Sequence, residues 1–264
     1  MRFETVGQKK NPVVIMLNGS FSTGKGLMHI ARAISDKFYV ILPTYDGHYQ
    51  NGGEFTTREK QAKKIISYLK KEKIKHIALI QGASMGAEIA LTLAAMLSNT
   101  DICVEHYLFD GGPFFHFCLP FRMIMRKKFK AMVHQAQNGS EEEIIERFSN
   151  NKMVQWMIHG DISPYKWFIQ GLAEAAPHMS DRSISKESDA CYTFDFPAVS
   201  IQEQKKYYFI WSTNEPAFKS AVNVQKHYPY AKYNSPGALG HCGFISRQPE
   251  KYAKFLMKLA GQTI

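Results

Sequence analysis

The stretch Ile80-Gln81-Gly82-Ala83-Ser84-Met85-Gly86 sets a serine between two glycines in the pattern G-x-S-x-G. It falls directly after a predicted strand and directly before a predicted helix. A nucleophile at so tight a turn adopts a strained backbone that only small neighbours permit, hence Gly82, Ala83 and Gly86. The turn lifts the hydroxyl above the carboxyl edge of a sheet, where open α/β folds hold their ligands. The helix N-terminus beneath it offers unpaired N–H groups and a positive dipole end. A glycine-rich turn without chemistry is the plainer reading of the pattern, and the strand-to-helix context argues against it.

A serine hydroxyl is a weak nucleophile and needs a base within hydrogen-bond reach. Of the ten histidines, His241 sits in Pro236-Gly237-Ala238-Leu239-Gly240-His241-Cys242-Gly243-Phe244, a flexible loop before the last predicted helix. Catalytic groups belong on such loops held by a rigid sheet. The base needs an acid to fix its tautomer, in the chain order Ser, acid, His. Two carboxylates at strand ends satisfy that order: Glu215 in Trp211-Ser212-Thr213-Asn214-Glu215-Pro216, and Asp110 in Phe109-Asp110-Gly111-Gly112. Asp110 also reads as a helix cap and Glu215 as a first-turn helix charge.

The elements that must position these groups alternate. Strands are predicted at Val13–Leu17, Phe38–Leu42, His76–Ile80, Val104–Phe109 and Tyr207–Trp211, with a short one near Ala231–Tyr233. Helices are predicted at Leu27–Ser35, Thr56–Lys71, Ala87–Leu97, Pro216–Lys226 and Pro249–Leu259. Such spacing demands parallel pairing through crossover helices, so the fold class is α/β. From Phe114 to about Ser200 the rhythm breaks into helical segments rich in Met and aromatic residues. The economical reading is a helical cap, 114–199, inserted into a core of 1–113 and 200–264.

This pattern resembles the α/β-hydrolase family, on both sides of the insertion. Gly82–Gly86 looks like the nucleophile elbow. Asn18-Gly19-Ser20 looks like the family's His-Gly-x turn, with Asn for His. Asp46-Gly47-His48 is similar to its Gly-His-Gly turn, and Gly240-His241 to its C-terminal Gly-His. Ser212–Pro216 resembles its Gly-x-x-Asp loop, with Ser for Gly and Glu for Asp. The resemblance implies N–H groups of Ser20 and Met85 as an oxyanion hole and favours Glu215 over Asp110 as the acid. It implies a mostly parallel sheet of six or seven strands with the initial antiparallel strands absent or reduced to one, an acyl-enzyme mechanism, and no metal or organic cofactor.

Composition narrows the rest. With 264 residues, 45% hydrophobic and 13% aromatic, the chain buries a sizeable core. Four scattered cysteines without a C-x-x-C pair indicate neither a zinc site nor a disulfide framework. The first residues lack the apolar stretch of a secretory signal, so a reducing cytoplasm is expected. The net charge of +10 has clusters at Lys70–Lys75 and Arg126–Lys130, but no nucleic-acid-binding signature accompanies them. No nucleic-acid partner is expected; a homodimer stays open.

The expected substrate is a small, partly hydrophobic ester or acyl compound. Phe21, Phe114, Trp156 and Trp167 are candidates for its pocket, although any helical insertion needs an apolar face against its core. Phe121–Lys130 could lie on an anionic membrane surface, and an ordinary helix with a basic outer face is the simpler account. Two rival functions remain. Gly19-Ser20-Phe21-Ser22-Thr23-Gly24-Lys25-Gly26 matches a nucleotide-binding P-loop, except that Gly26 lacks the hydroxyl that Mg²⁺ needs. The fold could also serve as a non-catalytic ligand-binding module.

Overall fold

The computed structural model describes residues 1–261. Seven strands form one sheet: β1 (Arg2–Val6), β2 (Val13–Leu17), β3 (Tyr39–Thr44), β4 (His76–Ala83), β5 (Cys103–Asp110), β6 (Tyr207–Ile210) and β7 (Lys232–Asn234). Their spatial order is β1-β3-β2-β4-β5-β6-β7. β1 is antiparallel to β3 and every other pairing is parallel. The initial antiparallel part of the sheet is thus a single strand.

All five residues of β2 are buried, as a strand covered on both faces must be. Its side chains alternate between two cores. Val14 and Met16 join one, while Val13, Ile15 and Leu17 join the other. Helix α1 (Met28–Ile34) packs against one face of the sheet, with α2 (Arg58–Lys71) and α3 (Met85–Leu97) against the other. The N-cap Thr57 accepts the Lys60 N–H at 3.2 Å, and Ala62, Ile65 and Leu69 are among the buried residues of α2. In place of one helix over Leu27–Ser35, the chain makes a 3₁₀ turn at Gly24–Leu27 and then α1.

Between β5 and β6 run α4 (Leu119–Ala136), α5 (Glu141–Ser149), α6 (Lys152–Ile158), α7 (Lys166–Ala175), α8 (Asp181–Ala190) and the short α9 (Ile201–Gln204). Helix α5 begins with a full capping box, Ser140 and Glu143 exchanging bonds. After β6, a 3₁₀ turn (Pro216–Ser220) leads into α10 (Ala221–His227). The loop bearing His241 runs into α11 (Gly243–Arg247), a short helix where the sequence suggested only loop, and then α12 (Pro249–Leu259), which packs on α1. Among the described residues no helix is long and apolar enough to cross a membrane.

The register aligns the site. Ala83 pairs with Asp110, and Asp110 with Ile210. The residues that follow those three, including Ser84, Gly111 and the Trp211–Glu215 loop, therefore leave the sheet at one edge. On the other side of β4, the chain reverses its direction of winding at β2. That reversal opens the crevice between β2 and β4 in which α/β sheets bind ligands.

Candidate active site

Ser84 occupies the N-cap of α3 with φ 55° and ψ −124°. A non-glycine residue holds this positive-φ conformation at a cost of about 1–3 kcal/mol. Its surroundings enforce it. A Cβ on Gly82 would lie 2.2 Å from the Gly86 carbonyl oxygen, and one on Gly86 2.3 Å from that of Leu17. The Ser84 N–H donates to the Asp110 carbonyl at 2.8 Å, tying the turn to the end of β5. Gly19 packs directly on Ser84, a Cβ there falling 3.2 Å from the serine Cβ.

His241, 157 residues away in the chain, meets this hydroxyl: Nε2 to Ser84 Oγ is 2.9 Å. On the other side of the ring, Nδ1 lies 2.6 Å from Glu215 Oε2. A carboxylate only accepts, so Nδ1 carries the hydrogen and Nε2 is free to accept from Ser84. The second oxygen of Glu215 accepts the Ser212 N–H at 2.7 Å. Both oxygens of the carboxylate are thus held in place. Burial by itself would push the imidazole down; hydrogen bonds and charges from Cys242 and Glu215 outweigh it and hold His241 well above its ordinary value. Burial pushes the Cys242 thiol up and keeps it protonated at neutral pH. The effective partner of the imidazolium is therefore Glu215.

Asp110 does not take that place. It is buried beneath the pair, and burial together with the nearby Glu215 charge raises its pKa to about 8. A neutral carboxyl cannot stabilise an imidazolium. Among the described residues its Oδ2 has no hydrogen-bond partner.

Gly111 was not singled out by its sequence, and the site depends on it. Its φ is +62°, and a Cβ there would stand 2.8 Å from Glu215 Oε2 and 3.3 Å from His241 Nδ1. Turn residues following a strand were the only signal. The His241 loop is pinned by α6. Its N–H donates to the Met157 carbonyl of α6 at 2.8 Å, and a Cβ on Gly240 would fall 1.9 Å from the Ile158 carbonyl oxygen.

The turn at Asn18–Thr23 completes the crevice. Met85 is the first residue of α3, so its N–H has no partner within the helix, and Ser20 follows Gly19 in the turn that packs onto Ser84 and lines the same cavity as Ser84. Phe21 has φ 62°. Its N–H donates to Glu187 Oε2 of α8 at 2.8 Å, while Glu187 Oε1 bonds His48 Nε2. His48 Nδ1 in turn donates to the Ser22 carbonyl at 3.0 Å. Glu187 and His48 are both fully buried. Nothing in the local sequence signals Glu187, because its partners lie over a hundred positions upstream.

The same bonds remove the nucleotide-binding reading. In Gly19–Gly26 the N–H of Thr23 goes to Gly171, that of Gly24 to the Thr44 hydroxyl and that of Gly26 to Thr23. Lys25 pairs with Glu174 at 2.9 Å. No row of free donors is left to cradle a phosphate. Among the described residues no cluster of three or more His, Cys, Asp or Glu could hold a metal ion.

Over Ser84 and His241 opens a cavity of about 640 Å³, walled by loops at the sheet edge and by helices from the segment between β5 and β6. Phe21, Trp156 and Trp167 line it, Trp156 at its exposed mouth. Phe114 does not. It is 1% exposed and packs edge-on against Phe194 and Phe209, at 5.0 and 5.7 Å between ring centres. Gly112 is what lets it fold back: a Cβ there would meet the Phe114 ring at 2.3 Å. Phe115 and Phe117 face the cavity instead.

No protein-family model matches the sequence, and no curated protein is similar to it. Solved structures are. A Desulfitobacterium hafniense protein assigned to the alpha/beta hydrolase family superposes with TM-score 0.74, at 16% identity over 98% of this chain and 99% of the other. The chain has the α/β-hydrolase fold. A carboxylesterase from Nitrososphaera gargenis aligns with TM-score 0.73 at 17% identity, over 98% and 93% of the two chains. An enol-lactonase from Burkholderia xenovorans aligns with TM-score 0.70 at 14% identity, over 99% and 96%. In this fold the serine, histidine and glutamate stand on the loops after β4, β7 and β6, all at one edge of the sheet.

Proposed function

We propose that the protein is a serine hydrolase that cleaves esters, thioesters or amides through an acyl-enzyme intermediate. The observation that carries this reading is the continuous relay Ser84–His241–Glu215, at 2.9 and 2.6 Å, opening into an apolar cavity. Ser84 attacks the substrate carbonyl as its proton passes to His241 Nε2, and Glu215 stabilises the imidazolium. The N–H groups of Met85 and Ser20 receive the developing oxyanion, each donor lowering the barrier by about 3 kcal/mol in comparable sites. The imidazolium protonates the leaving group. Water, activated by the same histidine, then releases the acid. No step calls for a metal or organic cofactor.

Carboxylesterase and enol-lactonase neighbours of the same fold support hydrolysis as the reaction class. The helices between β5 and β6 act as a cap that holds the acyl group out of water. The test is direct. A fluorophosphonate should label the wild type at Ser84, and Ser84→Ala should lower kcat/KM on 4-nitrophenyl esters by about a hundredfold or more. Unlabelled, folded wild type without esterase activity would leave a ligand-binding protein as the better reading.

A further inference from the structure

The cavity wall carries charge of one sign only. Lys128, Lys152 and Lys219 line it and no aspartate or glutamate does. The lysines come from α4, α6 and the 3₁₀ turn after Glu215, three elements that converge only in the folded chain. All three are exposed, which places them at the mouth. Among the described residues none forms an ion pair, whereas Lys130, two positions from Lys128, pairs with Asp181 at 3.0 Å.

Between them the wall is hydrocarbon and aromatic: Met125, Phe129, Met132, Met153 and Phe168 are among its residues. Three like charges around one opening repel each other, and low-dielectric walls focus their field into it. An anion at the mouth relieves the repulsion. A wholly polar anion, however, gains nothing from the walls and loses water to enter. The complementary molecule has an apolar part and a negative group.

We propose, on the strength of the hydrolase reading above, that the substrate joins an apolar acyl chain to a negatively charged leaving group. The acyl chain stays on Ser84 until water releases it, so it occupies the apolar walls. The departing alcohol or thiol leaves through the mouth, where Lys128, Lys152 and Lys219 meet its carboxylate or phosphate.

The test compares three octanoyl substrates: neutral 4-nitrophenyl octanoate, 3-carboxy-4-nitrophenyl octanoate and octanoyl coenzyme A. Each is measured on wild type and on the Lys128→Gln, Lys152→Gln, Lys219→Gln triple variant, with circular dichroism to establish folding. In the variant, the kcat/KM ratio of at least one anionic substrate to the neutral ester should fall about tenfold, since each exposed charge contact is worth at most a few-fold. Added salt should shrink the wild-type ratio in the same direction. The substrate that responds separates carboxylate from phosphate. Ratios within about twofold of wild type for both anionic substrates would overturn the inference while leaving the hydrolase intact. If no ester is cleaved, calorimetry with decanoate and 1-decanol on Ser84→Ala still decides. Tighter binding of decanoate, lost with the three lysines, supports the charge reading, and equal affinities overturn it.

Discussion

At the scale of single residues, the proposed chemistry turns on the state of His241. Only the neutral imidazole can take the Ser84 proton, and its bond to Glu215 favours the charged form. The rate should therefore fall with decreasing pH through a pKa above the value of about 6.5 usual for histidine. Glu215→Gln removes the charge that holds the proton. It should shift this acid limb of kcat/KM to lower pH and cut the maximal rate by about a hundredfold or more. Asp110→Asn replaces a carboxyl that is already neutral below about 8 and should cost less than about tenfold. A larger loss for Asp110→Asn than for Glu215→Gln would reverse the assignment of the acid. Gly111→Ala offers a geometric test of the same pair. Its methyl group meets Glu215 Oε2 at 2.8 Å, and displacing that pair by a fraction of an ångström should lower kcat about tenfold or more.

At the scale of elements, the helices between β5 and β6 reach the site at three points. Helix α8 holds the Asn18–Thr23 turn through Glu187, α7 receives the Thr23 N–H at Gly171, and α6 receives the His241 N–H at Met157. The His241 loop and the Asn18–Thr23 turn are thus both fastened to helices from the segment between β5 and β6. Glu187→Ala leaves the Phe21 N–H buried without its acceptor and takes the partner from His48 Nε2, and a buried orphan donor costs about 1–3 kcal/mol. Chemical denaturation should report that loss, and kcat on a 4-nitrophenyl ester should drop further than KM rises. Glu187→Gln retains an acceptor for Phe21 and should recover part of both. Wild-type kcat in a folded Glu187→Ala protein would show that the turn holds its shape without α8.

At the scale of the whole molecule, the proposed hydrolase would take its acyl preference from the apolar wall of the cavity. Each methylene moved from water into that wall contributes about 0.8 kcal/mol. Across a series of 4-nitrophenyl esters, kcat/KM should rise about three- to fourfold per added carbon until the cavity of about 640 Å³ is filled, then level off. A flat profile from acetate to decanoate would mean that the acyl chain lies outside the cavity. The fold makes this arrangement available because the sheet register brings three loops to one edge, while the long helical segment is free to arch over them.

Much of this was legible from the order of residues. Short β-branched apolar runs such as Val13–Leu17 read as strands buried on both faces, and their alternation with amphipathic helices calls for a parallel sheet. Ser84 and its glycines announce themselves because a sharp strand-to-helix turn has a local steric requirement, written in adjacent positions. What is local in space but remote in sequence leaves no such mark. The choice between Glu215 and Asp110 needed the register and depth that bury Asp110 without a charge, the same register that aims Gly111 at the acid–base pair. Phe114 looked like a pocket residue on composition and is core, because Gly112 lets its ring turn back. Glu187 joins His48 and Phe21 across more than a hundred positions, and the unpaired lysines at the mouth come from three separate elements. Periodicity and steric demands act over a few residues, whereas burial, proximity and electrostatic pairing exist only once distant segments have packed together.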